Sequence, residues 1–232
     1  MKLGIMQPYF VPYIGYWQLM NAVDMYVVYD DVNYIKGGWI SRNRILSSEG
    51  IQYFGVQMVG ASSNKLINEV GVELDERVVE KNIRKLENVY GKAPYYNDVM
   101  PVMERILFYK AENIAEYNMN SFNLINQYIG IDTSLILSSN IDKDNSLRAQ
   151  DKVLDICRIL GADEYYNAIG GISLYSYNDF AVKGIKLSFL ETEKISYSQF
   201  RDDFQPDLSI IDVMMFNSKK TITEMLGKYR LK

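Results

Sequence analysis

Two aspartates, Asp30 and Asp31, directly follow the apolar run Met25–Tyr29. Adjacent residues on a strand point to opposite faces, so one of the two should face any crevice at the strand's end. A partly desolvated carboxylate there could act as a general base, hold a cation or orient a substrate amine. Aspartates at strand ends also accept local N–H groups in turns, and the residues leave both readings open. The next charged stretch reads "YIKGGWISRNRI", in which Lys36, Arg42 and Arg44 surround Trp39. If the segment is extended, Arg42 and Arg44 share one side and offer two planar forks for phosphate or carboxylate. Trp39 and Tyr34 give faces for a sugar or base, and Asn43 adds an amide. Three cations are few for a duplex but suit a diphosphate. A solvated hairpin would look the same.

A second group of candidates precedes these. "MQPYFVPYIGYW", residues 6–17, places two prolines, a glycine and five aromatic rings directly after the apolar run Leu3–Met6. Pro8 and Pro12 fix two backbone angles and lower the cost of ordering the loop. Gly15 permits a close backbone approach, and free N–H groups at a helix start favour an anion. Gln7 supplies an amide donor and acceptor at the strand end, and Tyr9, Tyr13 and Tyr16 supply stacking rings. The arrangement is similar to the phosphate-binding start of nucleotidylyltransferases, whose histidines are absent here. A rigid aromatic plug closing the sheet is the plainer alternative.

Histidine is missing from all 232 residues. Its absence removes Ser-His-Asp and Cys-His catalysis, the usual zinc ligand and the commonest acid/base group near neutral pH. Chemistry must therefore run on carboxylates, Lys, Tyr, backbone dipoles or a cofactor. No metal and no tightly bound cofactor is expected. The single cysteine, Cys157, lies among Val153, Leu154, Ile156 and Leu160, where a buried apolar role outweighs a nucleophilic one. A net charge of −4 argues against bulk attraction to nucleic acid or anionic membrane. With no signal-like start and no long apolar run, a cytoplasmic protein without membrane insertion is the expectation.

Elements must position these residues. Leu3–Met6 reads as a buried strand, Ile14–Ala22 as a short helix and Met25–Tyr29 as a second strand, the size of a βαβ unit. Gly50–Met58 and Ile67–Val72 look extended. Glu76–Tyr90, Tyr96–Tyr109 and Asn113–Ile129 follow helical periodicity, with Gly91 ending the first. Alternation resumes with strand Ser134–Leu137, helix Ser146–Leu160, strand Glu164–Asn167 and strand Ile185–Phe189. Asn145 or Ser146 is expected to cap the helix and Gly161 to end it. Asp207 is expected to cap a helix in Leu208–Phe216, and a charged helix near Lys219–Tyr229 closes the pattern. Asp212 would need a partner if buried. The result is a single α/β domain, a mainly parallel, Rossmann-like sheet flanked by helices, with a helical insertion at about residues 76–130. In such a sheet the ligand crevice lies at the carboxyl ends of the strands, which singles out residues 7–16 and 30–44 and the turns after Leu137 and Asn167.

"MQPYFVPYIGYWQLMNAVD", "VVYDDVNYIKGGWISRNRI", "INEVGVE", "YGKAPYYNDVMPVMERIL", "KVLDICRILGADEYYNAIGG" and "FQPDLSIIDVMMFN" together resemble, in order along nearly the whole chain, the WbqC-like family of bacterial proteins. "YYNAIGG" departs from the more usual pattern, as do Asn33, Gly38 and Ser41. The resemblance implies an association with gene clusters for cell-surface polysaccharides such as O-antigens, whose amino sugars carry acyl or aminoacyl groups. It therefore implies transfer of such a group to the amine of a nucleotide-linked amino sugar. The donor would be a phosphopantetheine thioester on a carrier protein or coenzyme A. In this scheme Asp30 or Asp31 takes the amine proton, while Gln7 and N–H groups near Gly15 polarise the carbonyl. Lys36, Arg42 and Arg44 hold a phosphate. The alternatives are nucleotidyl transfer, or a non-catalytic protein that holds a glycan or nucleotide sugar.

Overall fold

The computed structural model describes residues 1–232. β1 (Lys2–Met6) is short because Pro8 follows it and lacks the N–H a longer ladder would use. α1 (Ile14–Asn21) is apolar on nearly every side and buries seven residues, as expected of a helix inside a core. Gln18 is the polar exception, and its Nε2 donates to the carbonyls of Met225 (2.8 Å) and Lys228 (2.9 Å). β2 (Met25–Val28) then pairs parallel to β1, with Leu3 opposite Met25.

The chain next leaves the sheet. β3 (Arg42–Ser47) and β4 (Gly50–Gly55) form a hairpin, and β5 (Met58–Val59) pairs with β6 (Gly71–Val72) in a small ribbon. Three helices follow: α2 (Glu76–Tyr90), α3 (Tyr96–Leu107) and α4 (Ile114–Ile129). Asp75 accepts from the Arg77 N–H at 2.9 Å, Asn113 from the Glu116 N–H at 3.0 Å, and Gly130 ends α4 in the left-handed region. The sheet resumes with β7 (Ser134–Leu137), α5 (Ala149–Leu160), β8 (Glu164–Ala168), α6 (Tyr177–Val182) and β9 (Lys186–Thr192). α7 (Ile210–Phe216), α8 (Lys219–Leu226) and β10 (Tyr229–Leu231) complete the order.

The six main strands lie in the order β10-β9-β8-β1-β2-β7, all parallel except β10 at the edge. This is the mainly parallel α/β sheet expected from the sequence. Strand order reverses direction between β1 and β8, the switch point beside which such sheets bind ligands. Leu3, Ile5, Val27, Tyr165 and Phe189 face a small core under α5 and α6, while Tyr26, Val28, Tyr166 and Leu190 face a larger one. Leu86, Tyr90 and Met103 of the helical insertion share that larger core with Phe10 and Trp17, so the insertion thickens one layer of the same body. No helix is long and apolar enough to cross a membrane.

Several local expectations are corrected. α5 begins at Ala149, not at Ser146, because Ser146 N–H and Oγ both bond Asp144 Oδ1 (2.8 and 2.6 Å) in a turn of their own. Asp207 caps nothing: it sits at φ +56, and Ser209 Oγ takes the Ile211 N–H instead. Gly50–Met58 breaks into β4 and β5, and Ile67–Glu69 is a 3-10 turn ahead of β6. The last helix stops at Leu226, and the chain returns as β10 against β9.

Candidate ligand site beside the opening loop

Loop 7–13 is fixed carbonyl by carbonyl. Asn118 Nδ2 donates to Pro8 O (2.9 Å), Asn43 Nδ2 to Phe10 O (3.1 Å) and Ser209 Oγ to Val11 O (2.7 Å). Pro12 O accepts from Trp17 Nε1 (3.0 Å) and the Ile210 N–H (2.9 Å), while Gln7 O accepts the Tyr16 hydroxyl (2.8 Å). Val11 holds φ +37, a cost for a β-branched residue that only such lacing sustains. The Phe10 N–H reaches Trp39 O at 2.8 Å, so the loop and the second charged stretch do meet, as the sequence suggested.

Four of the expected ligand residues turn out to be supports. Tyr16, Tyr34 and Asn43 are buried. Tyr16 packs on Tyr9, Tyr26 and Phe122, and Tyr34 hydroxyl lies 3.3 Å from Ser41 Oγ. A Cβ on Gly15 would stand 2.5 Å from the Tyr13 ring and 2.6 Å from Thr192 Oγ1, so the close approach that glycine allows is to the protein itself. Gly15→Ala is expected to cost about 1–3 kcal/mol by overpacking. Urea denaturation would measure it, and a loss under about 0.5 kcal/mol would mean that Tyr13 moves aside freely.

The exposed rim is made by other residues. Arg42 and Arg44 do share one side of β3, across from Tyr53 on β4. The Arg42 guanidinium lies 4.2 Å from the Tyr53 ring centroid, Arg44 5.6 Å from that of Trp39, and the two rings are 6.4 Å apart. Both rings remain substantially open, Trp39 at 38% and Tyr53 at 52%. Neither arginine has a carboxylate partner: Arg42 donates to Gly37 O and Arg44 to Asp207 O (2.9 Å). Half-buried Tyr13 continues the rim, its hydroxyl pKa raised by burial and then by Asp207 and Tyr9. Lys36 is exposed on the turn beside Gly37, and the Gln7 side chain makes no hydrogen bond within the protein.

The two aspartates separate sharply. Asp30 is fully buried, and both its oxygens are engaged: Oδ1 by the Ser139 N–H (2.9 Å), Oδ2 by Ser139 Oγ (2.6 Å) and Asn68 Nδ2 (3.3 Å). It fastens β2 to the turn after β7 and, with no exposed surface, presents no oxygen to a substrate. Asp31 Oδ2 receives two ammoniums, Lys143 Nζ at 2.8 Å and Lys152 Nζ at 2.9 Å, while Oδ1 has no partner in the protein. Burial opposes ionisation of Asp31, but the two lysines outweigh it and hold the carboxyl below its usual range.

A family model for WbqC-like proteins matches residues 7–224. The chain belongs to the WbqC-like protein family. It is also 28% identical over 222 residues to the uncharacterized protein Rv1507c of Mycobacterium tuberculosis, covering 93% of each chain. No solved structure matches significantly.

In this WbqC-like protein the residues that sequence reasoning missed are Tyr53, Ser139, Lys143 and Lys152. Lys152 left a signal: it falls on the buried stripe of α5 with Val153, Ile156 and Cys157, where an unpaired lysine would be costly. Lys143 left none, because its side chain is buried by an irregular turn whose Ser138 and Ile141 carbonyls take its protons. Cys157 is fully buried with its thiol pushed up to about 12 by desolvation, which fits a packing role.

Proposed function

We propose that this WbqC-like protein transfers an acyl or aminoacyl group from a phosphopantetheine thioester to the amine of a nucleotide-linked amino sugar. The observation that carries the reading is the Arg42–Tyr53–Trp39–Arg44 stack, two planar cations without carboxylates on two exposed rings. Such a surface suits a phosphate with an adjoining base or sugar. Tyr9 and Tyr13 extend it towards the end of β1.

The chemistry asks little of the protein. The amine nitrogen attacks the thioester carbonyl, the C–S bond breaks, the thiol leaves, and one amine proton passes to water or thiolate. Positioning and a donor for the developing oxyanion supply most of the advantage. Gln7, with its amide uncommitted at the end of β1, is that donor. Asp31, packed with its two lysines, steadies the end of β2 without touching the amine, because its one unpartnered oxygen, Oδ1, is sealed from solvent.

Thermal-shift screening against nucleotide-linked 4-amino sugars, coenzyme A thioesters and a loaded carrier protein tests this, followed by mass spectrometry of the hits. The expected result is an amide-linked sugar formed only with a thioester present. Tight binding of the nucleotide sugar with no amide from any thioester would replace transfer by a binding role.

A further inference from the structure

An open groove of about 1460 Å³ runs between the β3–β4 hairpin and α2. Five cations border it, Lys81, Arg84, Lys85, Lys92 and Arg201, against two carboxylates, Glu49 and Glu87. The chain as a whole carries a net charge of −4, so this excess is local. Arg84 and Arg201 lean on Glu80 (3.5 Å) and Asp203 (2.9 Å), whereas Lys81, Lys85 and Lys92 have no carboxylate partner. Lys81 and Lys85 stand one helical turn apart, where like charges repel. Lys85 is held in place by its bond to Tyr53 O at 2.5 Å.

These cations have a pitch. Lys81 and Lys85 stand one turn apart on α2, Asn88 adds an amide on the next turn of the same face, and Lys92 lies just past the helix end at Tyr90. Val78 and Val89 run beside them, and the exposed ring of Phe200 closes one end. We infer that the groove docks an acidic helix of a protein partner, laid along α2 with its carboxylates at matching one-turn spacing. Charge and periodicity both point to this occupant. A single-stranded nucleic acid fits less well, because it calls for a succession of stacking rings and the groove has only Tyr53 and Phe200. Tyr53 lines the groove and also carries the Arg42 guanidinium, so a docked partner would lie directly beside the rim. The docking does not depend on which reaction, if any, takes place there.

The test uses fluorescence anisotropy on the whole protein with three labelled probes. They are a helical peptide with one glutamate per turn, an isomer of equal composition with its glutamates bunched at one end, and an oligothymidylate. The periodic peptide should bind, weaken as salt rises, and bind the bunched isomer's site about tenfold better than the isomer does. Lys81→Glu with Lys92→Glu should weaken it roughly tenfold or more, while Lys183→Glu just past α6, behind the sheet, leaves it nearly unchanged. Both substituted groove lysines are exposed, and matching melting temperatures certify the fold. Absence of binding at low salt, equal affinity of the two peptides, or tighter binding of the oligothymidylate would each overturn the inference.

Discussion

Asp31→Ala is expected to lower the unfolding free energy by about 3–5 kcal/mol, because it strands two buried ammoniums beside one another. Lys143 and Lys152 keep only 1% and 6% of their side-chain surface exposed, so water cannot take over the carboxylate's role. Removing all three charges together, with Leu at 31 and Met at 143 and 152, should recover most of the loss, since apolar groups of similar volume tolerate such a site. Urea denaturation of the wild type and these two variants measures both effects. A loss below about 1 kcal/mol for Asp31→Ala would show that the lysines reach solvent or other acceptors. The pH dependence has a definite sign. The folded carboxyl titrates below its unfolded value, so its contribution is complete above about pH 4 and disappears as pH falls through the folded pKa. Asp31→Ala should therefore lack that part of the wild-type acid sensitivity.

Arg42→Ala and Arg44→Ala should each weaken binding of a nucleotide sugar ten- to a hundredfold, with melting temperatures close to wild type. Loss of a charge-assisted contact to phosphate typically costs ~1.5–3 kcal/mol, and ~1.4 kcal/mol corresponds to a factor of ten. Fold stability should change little, because both guanidiniums lie over exposed rings and donate only to loop carbonyls. Arg44→Lys keeps the charge but not the planar face over Trp39, so it should recover only part of the affinity. Isothermal titration decides the matter. Normal affinity in both alanine variants would remove the phosphate role from this rim.

The sequence showed the parallel framework clearly wherever one residue pattern had one meaning. The apolar runs at residues 3–6, 25–28 and 134–137 are short and continuous, and each became a strand of the main sheet. The glycine at 161 could end only a helix. Charged strands were harder. β3 contains Arg42, Asn43 and Arg44, and β10 contains Arg230, because hairpin and edge strands keep one side in water and lose the apolar signature. The rim was legible in part, since strand alternation alone puts Arg42 and Arg44 on one side. What escaped was long-range. Tyr16 reads as a stacking ring until Phe122 is seen packed on it, and Asp30 reads as a base until Ser139 is seen occupying both its oxygens. No local pattern encodes such partners.

The position of β1 has a consequence for how the molecule is made. Its two neighbours are β2, reached after one short helix, and β8, reached only after the hairpin, the insertion and β7. During synthesis the β2 edge of β1 closes early, while the other edge waits for Glu164–Ala168 to leave the ribosome. For that interval the nascent chain displays an apolar, unpaired backbone edge in its very centre, the kind of surface that recruits other chains. Contacts so distant along the chain also slow the search for the native pairing. The strand that anchors the finished sheet is thus the one that most needs shielding before the sheet exists.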